Sequence, residues 1–150
     1  FVLGFPGETE ATLGDNISFI ENTGIDFYSL KEFYYQENTP IHRDSKEFGL
    51  TGIGKSWSHN TMDHGDIPKH LISLFRKIKN SVFIDPDTSL WYLAYMYDQG
   101  YSMQKIGKIQ SLINGVIISQ LDGHFDDNHP AFNEIQSLVL EKTAVSTTSR

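Results

Sequence analysis

The sequence predicts an α/β fold whose later part is almost entirely helical, and three observations carry that expectation. The chain opens on a short apolar run, Phe1-Val2-Leu3, that stops at Gly4 and turns through Pro6-Gly7 toward a helical stretch. A second run rich in aromatics, residues 25–35, follows one helix later. Strand, helix and strand in about 35 residues is the βαβ unit, for which parallel pairing and a right-handed crossover are the default. Beyond residue 80 the apolar residues recur mainly at helical spacing.

The opening run reads as the end of a buried parallel strand followed by a βα turn. Ligands of open α/β sheets and barrels bind at the carboxyl edge of such strands. Glycines there let the backbone approach a ligand, and the N–H groups of the next helix can meet an anion or a polar cofactor edge. Phe1 is not Met, and the strand begins with no turn before it. The chain is therefore expected to be the C-terminal part of a longer one.

Residues 9–23 place Leu13, Ile17 and Ile20 on one helical face, with Thr9 or Thr12 as N-cap and Gly24 as the stop. Residues 25–35 suit a strand, being aromatic and loosely alternating. Residues 36–65 hold Gly49, Gly52, Gly54 and Gly65 with little periodicity, which predicts a long loop containing a hairpin. Phe48, Leu50, Ile53 and Trp57 supply apolar matter to order it over the ligand face. From Asp66 the pattern is helical: Ile67, Leu71, Leu74, Phe75 and Ile78 share a face, with Pro68 in the first turn.

Val82-Phe83-Ile84 fits a short third strand closed by Asp85-Pro86. A helix over 87–99 carries Leu90, Leu93, Ala94 and Tyr97 and ends at Gly100. Ser102 caps the longest helix, whose Ile106, Ile109, Ile113, Val116 and Ile117 read as a core stripe, weakened by Gly107 and Gly115. An acidic loop, 122–129, leads to a last helix opened by Asn128 and Pro130, with Phe132, Ile135, Leu138 and Val139 inward. The division is thus 1–80, an α/β part with the loop 36–65; 81–142, a helical subdomain; and 143–150, a flexible Ser/Thr-rich tail.

Composition narrows the function. A formal net charge of −7 and a pI near 5.2 oppose a broad phosphate-backbone footprint, so nucleic acid is not an expected partner. The chain has no cysteine, which leaves disulfides, thiolate nucleophiles and Cys-ligated metals to other segments. No apolar run reaches the roughly 18 residues that span a bilayer, and no secretory signal opens the chain, so no membrane partner and a cytoplasmic setting are expected.

The string Val2-Leu3-Gly4-Phe5-Pro6-Gly7-Glu8-Thr9 resembles the end of the fifth barrel strand in radical S-adenosylmethionine enzymes, where it helps to hold the adenosyl part of the cofactor. Asn38-Thr39-Pro40-Ile41-His42 is similar to the segment after their sixth strand, with Asn38 where Gly is usual. Trp57-Ser58-His59-Asn60-Thr61-Met62-Asp63 resembles a string of those members that also carry a cobalamin-binding domain, the P- and C-methyltransferases and peptide-maturation enzymes among them. Residues 86–100 also fit the C-terminal region of that group.

The resemblance covers roughly residues 1–120 and implies a C-terminal fragment of a (β/α) barrel, two or three parallel strands, followed by a mostly α-helical subdomain. It implies cofactor contacts at Gly4, Phe5, Pro6, Gly7 and Glu8, and substrate contacts at Trp57, His59, Thr61 and Met62. The parent would use S-adenosylmethionine, a [4Fe–4S] cluster and cobalamin on a small-molecule or peptide substrate. The cluster-binding CxxxCxxC is absent, so this part would be inactive alone and would need the missing N-terminal half as partner. Two other readings stand beside it: a non-catalytic helical interaction domain that self-associates through exposed strand edges, and a fragment of a tRNA-modifying radical enzyme, which the acidic balance opposes.

The remaining candidates carry plainer alternatives. His59, Asp63, Glu32 and Tyr34 are candidates for catalysis. His59 and Asp63 are spaced as two metal ligands on a helix, but their segment is loop-like and lacks a third ligand. Glu32, Tyr34 and Tyr35 lie near the carboxyl end of the second strand, where side chains face substrate or pack as core. A Ser58-His59-Asp63 triad is excluded because neighbours in sequence do not converge as nucleophile and base. Residues 122–129 lack the ligand order of an EF-hand and read as a solvated connector.

Overall fold

The computed structural model describes residues 1–87 and 89–146, side chains of 89, 90 and 142–146 excepted. It is mixed α/β and mostly helical, with short strands in small sheets. Two compact units divide at Phe1–Ser81 and Val82–Arg150.

The first unit begins with β1, Val2–Leu3, and α1, Glu10–Asn22. Thr9 caps α1 through a reciprocal pair with Thr12: each residue's side-chain oxygen accepts from the other's backbone N–H, at 2.8 and 3.3 Å. Leu13 and Ile20 are buried on the expected face and Ile17 is half-buried. The single strand expected over 25–35 is two short ones, β2 (Phe27–Tyr28) and β3 (Lys31–Glu32). β3 pairs parallel with β1, Val2 opposite Lys31 and Leu3 opposite Glu32, as a βαβ unit requires.

Residues 36–65 are ordered by short elements: α2 (Pro40–Arg43), α3 (Ser45–Phe48), and the antiparallel hairpin of β4 (Ser58–His59) with β5 (Met62–Asp63). A 3₁₀ turn, His64–Asp66, leads into α4, Ile67–Lys77. Ile67, His70, Leu74 and Phe75 form the buried face of α4. Glu21 ties the end of this unit to α1, its Oε1 accepting from the backbone N–H of Lys79 and Asn80 at 2.5 and 2.8 Å. Trp57, Leu3, Ile20, Leu30, Ile67 and Leu74 are its most completely buried side chains.

The second unit holds β6 (Val82–Phe83), α5 (Ser89–Asp98), α6 (Met103–Leu121) and α7 (Pro130–Ser146). Ser102 caps α6 by accepting the Lys105 N–H at 3.2 Å. Asn114 on α6 donates to the Phe83 carbonyl at 3.0 Å, and Lys105 and Lys108 reach Glu141 and Glu134 on α7. The core expected along these helices is thinner than their apolar stripes suggest. Ile106 and Ile109 are buried, whereas Ile117, Tyr97, Phe132 and Val139 are exposed and Ile113, Val116, Ile135 and Leu138 are half-buried. Of the tail expected from residue 143, residues 143–146 instead continue the backbone of α7, and residues 147–150 lie outside the described residues.

Tyr92 on α5 buries its hydroxyl with no hydrogen-bond partner among the described residues, and burial pushes its pKa up. An unpartnered buried hydroxyl costs about 1–3 kcal/mol. Tyr92→Phe should therefore leave the thermal midpoint unchanged or raise it, measured by calorimetry. A drop of several degrees would mean that the hydroxyl is bonded.

Candidate functional site

The parallel pairing of β1 with β3 brings the ends of both strands to one edge, and two of the strings singled out in the sequence, residues 2–9 and 57–63, meet there. The Trp57 indole is its centre, 1% exposed. Its Nε1–H donates to the Phe33 carbonyl just beyond β3 at 2.8 Å. The Cζ2 and Cη2 atoms of its six-membered ring lie against Gly4 just beyond β1. A Cβ built on Gly4 would collide with that ring and lie 2.7 Å from Ile67 Cδ1. Gly4 also has φ 79°, a conformation glycine adopts freely. Gly4, expected to meet a cofactor, meets Trp57 and Ile67.

The polar groups of Gly4 are engaged as well. Its N–H donates to Glu8 Oε2 at 2.6 Å, and Glu8 Oε1 accepts from Asn16 at 3.3 Å. Its carbonyl lies 3.2 Å from Nε2 of His59, a buried ring stacked on Trp57 at 5.2 Å and 5°. A carbonyl only accepts, so His59 carries its proton on Nε2. Nδ1 then accepts from the backbone N–H of Thr61 at 3.4 Å and lies 3.1 Å from the Thr61 hydroxyl. His59 thereby braces the turn through both ring nitrogens.

Phe5 stands half out of the fold, 47% exposed, with its ring edge-to-face on Phe33 at 5.5 Å. Pro6 is buried, and Gly7 has φ 94° with Phe48 nearby. Met62 pairs with His59 in the hairpin and is buried; Thr61 at its turn is exposed. Asp63 turns away from His59 and caps the 3₁₀ turn, its Oδ1 accepting the Gly65 N–H at 2.7 Å. Glu32 pairs with Lys55 at 2.7 Å and His64 at 3.4 Å. The Lys55 contact, with His64 behind it, holds the Glu32 carboxyl below its ordinary range. Tyr34 is 56% exposed beside Gly54, while Tyr35 is buried with its hydroxyl 2.6 Å from His42 Nδ1.

His70 on α4 is the residue that the sequence reading missed. It is buried, its Nδ1 3.8 Å from Glu10 Oε1, and with His59 it acts electrostatically on Glu8. Its position three after Ile67 and four before Leu74 puts it on the apolar face of α4, which was the available signal. Among the described residues no group of three or more His, Cys, Asp or Glu is arranged to hold a metal, and no helix is long and apolar enough to cross a membrane. No protein-family model matches the chain, and no curated protein sequence or solved structure is significantly similar to it.

Two outcomes are expected. Gly4→Ala places a methyl group against Trp57 and Ile67 at a positive φ, and should destabilise the first unit by about 2 kcal/mol or more in denaturant titration. A loss under about 0.5 kcal/mol would show that Trp57 does not sit on Gly4. For Glu8, partial burial raises the carboxyl pKa against the opposing pull of the Gly4 N–H, His70 and His59. A raised carboxyl favours folding below its unfolded pKa, and that contribution is lost as pH rises through the folded value. Glu8→Gln keeps an acceptor for Gly4 without the charge, so the difference in midpoint between variant and wild type should shift in favour of the variant as pH rises above about 4.3. A difference independent of pH would remove the charge of Glu8 from the account.

Proposed function

We propose that this chain is the C-terminal part of a radical S-adenosylmethionine enzyme of the cobalamin-dependent methyltransferase type, a partial (β/α) barrel followed by helices. One observation supports the reading: two of the strings that resemble radical S-adenosylmethionine enzymes, residues 2–9 and 57–63, meet at Gly4, at the carboxyl end of a parallel strand. In this reading Phe5, Pro6, Gly7 and Glu8 form part of the cofactor wall, and Phe5 offers an exposed ring there. Gly4 contributes indirectly, by admitting Trp57.

Trp57, His59, Thr61 and Met62 belong to the strap that covers the substrate side, and Thr61 is its exposed member. S-adenosylmethionine, when bound beside a reduced [4Fe–4S] cluster, supplies a 5′-deoxyadenosyl radical. The chain has no cysteine, so the cluster's thiolate ligands come from another segment, the N-terminal half of the enzyme, and this part alone is inactive. Methylcobalamin is the methyl donor, the substrate is a small molecule or peptide, and the setting is cytoplasmic.

The second reading, a non-catalytic helical interaction domain, is favoured by α5, where Trp91 is 81% and Tyr95 64% exposed. The complete reading frame separates the two. The radical-enzyme reading requires a CxxxCxxC segment upstream of Phe1, and its absence would overturn the proposal. With that segment present, the anaerobically reconstituted full-length enzyme should form 5′-deoxyadenosine from S-adenosylmethionine. Phe5→Ala should raise KM for S-adenosylmethionine several-fold while leaving the fold intact, and an unchanged KM would remove Phe5 from the wall.

A further inference from the structure

A continuous run of aromatic rings leads inward from solvent at His42 to the Trp57 indole at Gly4. Tyr35 is buried, and its ring stacks on that of Phe33 with centroids 6.4 Å apart and planes 23° from each other. Phe33 is buried too. It meets the Trp57 indole edge-to-face at 5.6 Å, and its carbonyl accepts the indole N–H at 2.8 Å, so the two oxidisable rings are joined by ring contact and by a hydrogen bond. At the outer end the Tyr35 hydroxyl lies 2.6 Å from Nδ1 of His42, whose ring tilts against that of Tyr35 at 5.8 Å. His42 is exposed, and its ring makes no other hydrogen bond among the described residues. Tyr34, the next residue in sequence, is exposed and lies outside the run.

The two oxidisable rings differ in what stands ready to receive their proton. Trp57 faces a backbone carbonyl, which accepts a hydrogen bond but is no base. Tyr35 faces an imidazole nitrogen, a base that exchanges protons near neutral pH. Loss of an electron makes a phenol a strong acid, so a base at its hydroxyl makes that loss easier; an oxidised indole held by a carbonyl keeps its N–H and stays the stronger oxidant. We infer that Tyr35, with His42 as its proton acceptor, is a redox-active tyrosine that takes an oxidising equivalent from Trp57. A one-electron oxidant or oxidising radical at the strand edge first removes an electron from the indole. An electron then passes from Tyr35 to the oxidised indole through Phe33, and the hydroxyl proton passes to Nδ1 of His42. The products are the restored indole, a neutral phenoxyl radical and an imidazolium, which returns to imidazole by giving the Nε2 proton to water. This inference stands on the ring geometry and does not depend on the reaction proposed above.

The test is flash photolysis of the Trp91→Phe chain, in which Trp57 is the one indole, with pentaamminechlorocobalt(III) as irreversible electron acceptor. The indolyl radical formed at Trp57 should decay as a phenoxyl radical appears, followed by transient absorption and by electron paramagnetic resonance of frozen samples. Tyr35→Phe keeps the ring stack and should remove that phenoxyl radical while the indolyl radical lives longer; Tyr34→Phe should do neither. His42→Gln keeps an acceptor for the hydroxyl but not a base, and should slow phenoxyl formation about a hundredfold. His42 is exposed, so its variant decides the matter even where Tyr35→Phe disturbs the core, and the Trp57 indole N–H resonance checks the packing of both. A phenoxyl yield untouched by Tyr35→Phe, or equal rates with and without His42→Gln, would overturn the proposal.

Discussion

The contact on which the first unit depends is the packing of the Trp57 indole on the bare Cα of Gly4. Four pieces of chain meet through it: the turn after β1, the end of β3 through the bond to Phe33, the β4–β5 hairpin through the stacked His59, and α4 through Ile67. Burying an aromatic of this size contributes several kcal/mol, so a strand of two residues is held less by its ladder than by what sits on its end. Glu8 and His59 follow from the same constraint. With the ring over Gly4, the turn's amide and carbonyl lie where water does not serve them fully, and two side chains replace it.

Much of this was legible in the sequence, and the reasons differ by element. The stop at Gly4, the cap at Thr9, the Pro68 start of α4 and the cap at Ser102 are local chemistry, and each element begins where its residues require. The hairpin inside residues 36–65 was foreseeable from glycine spacing, but its partner was not. Glycine at a strand end signals close approach without saying of what, and here the approaching group is an indole from the same chain. The continuous strand over 25–35 failed because aromatic content cannot show that pairing is interrupted between β2 and β3. His70 escaped notice because an imidazole on an apolar helical face reads as a polar interruption.

The second unit shows the opposite failure. Its helices begin close to where the spacing places them and α7 runs past the expected end at 142, yet the apolar stripes of α6 and α7 exceed what their mutual packing covers, since Ile106 and Ile109 are buried while Ile117, Phe132 and Val139 face solvent. Periodicity reports which residues share a face and not how much of that face finds a partner. The proposed site accordingly draws on the first unit alone, where two of the resembling strings, residues 2–9 and 57–63, lie against one another.

The central claim, that Trp57 seals the end of β1, is tested most directly by nuclear Overhauser contacts in the intact chain. The account predicts strong contacts from the Gly4 α-protons to the outer ring protons of Trp57, with the Trp57 indole N–H protected from exchange and that of Trp91 exchanging rapidly. Absence of the Gly4 contacts, or equal exchange at the two indoles, would contradict it.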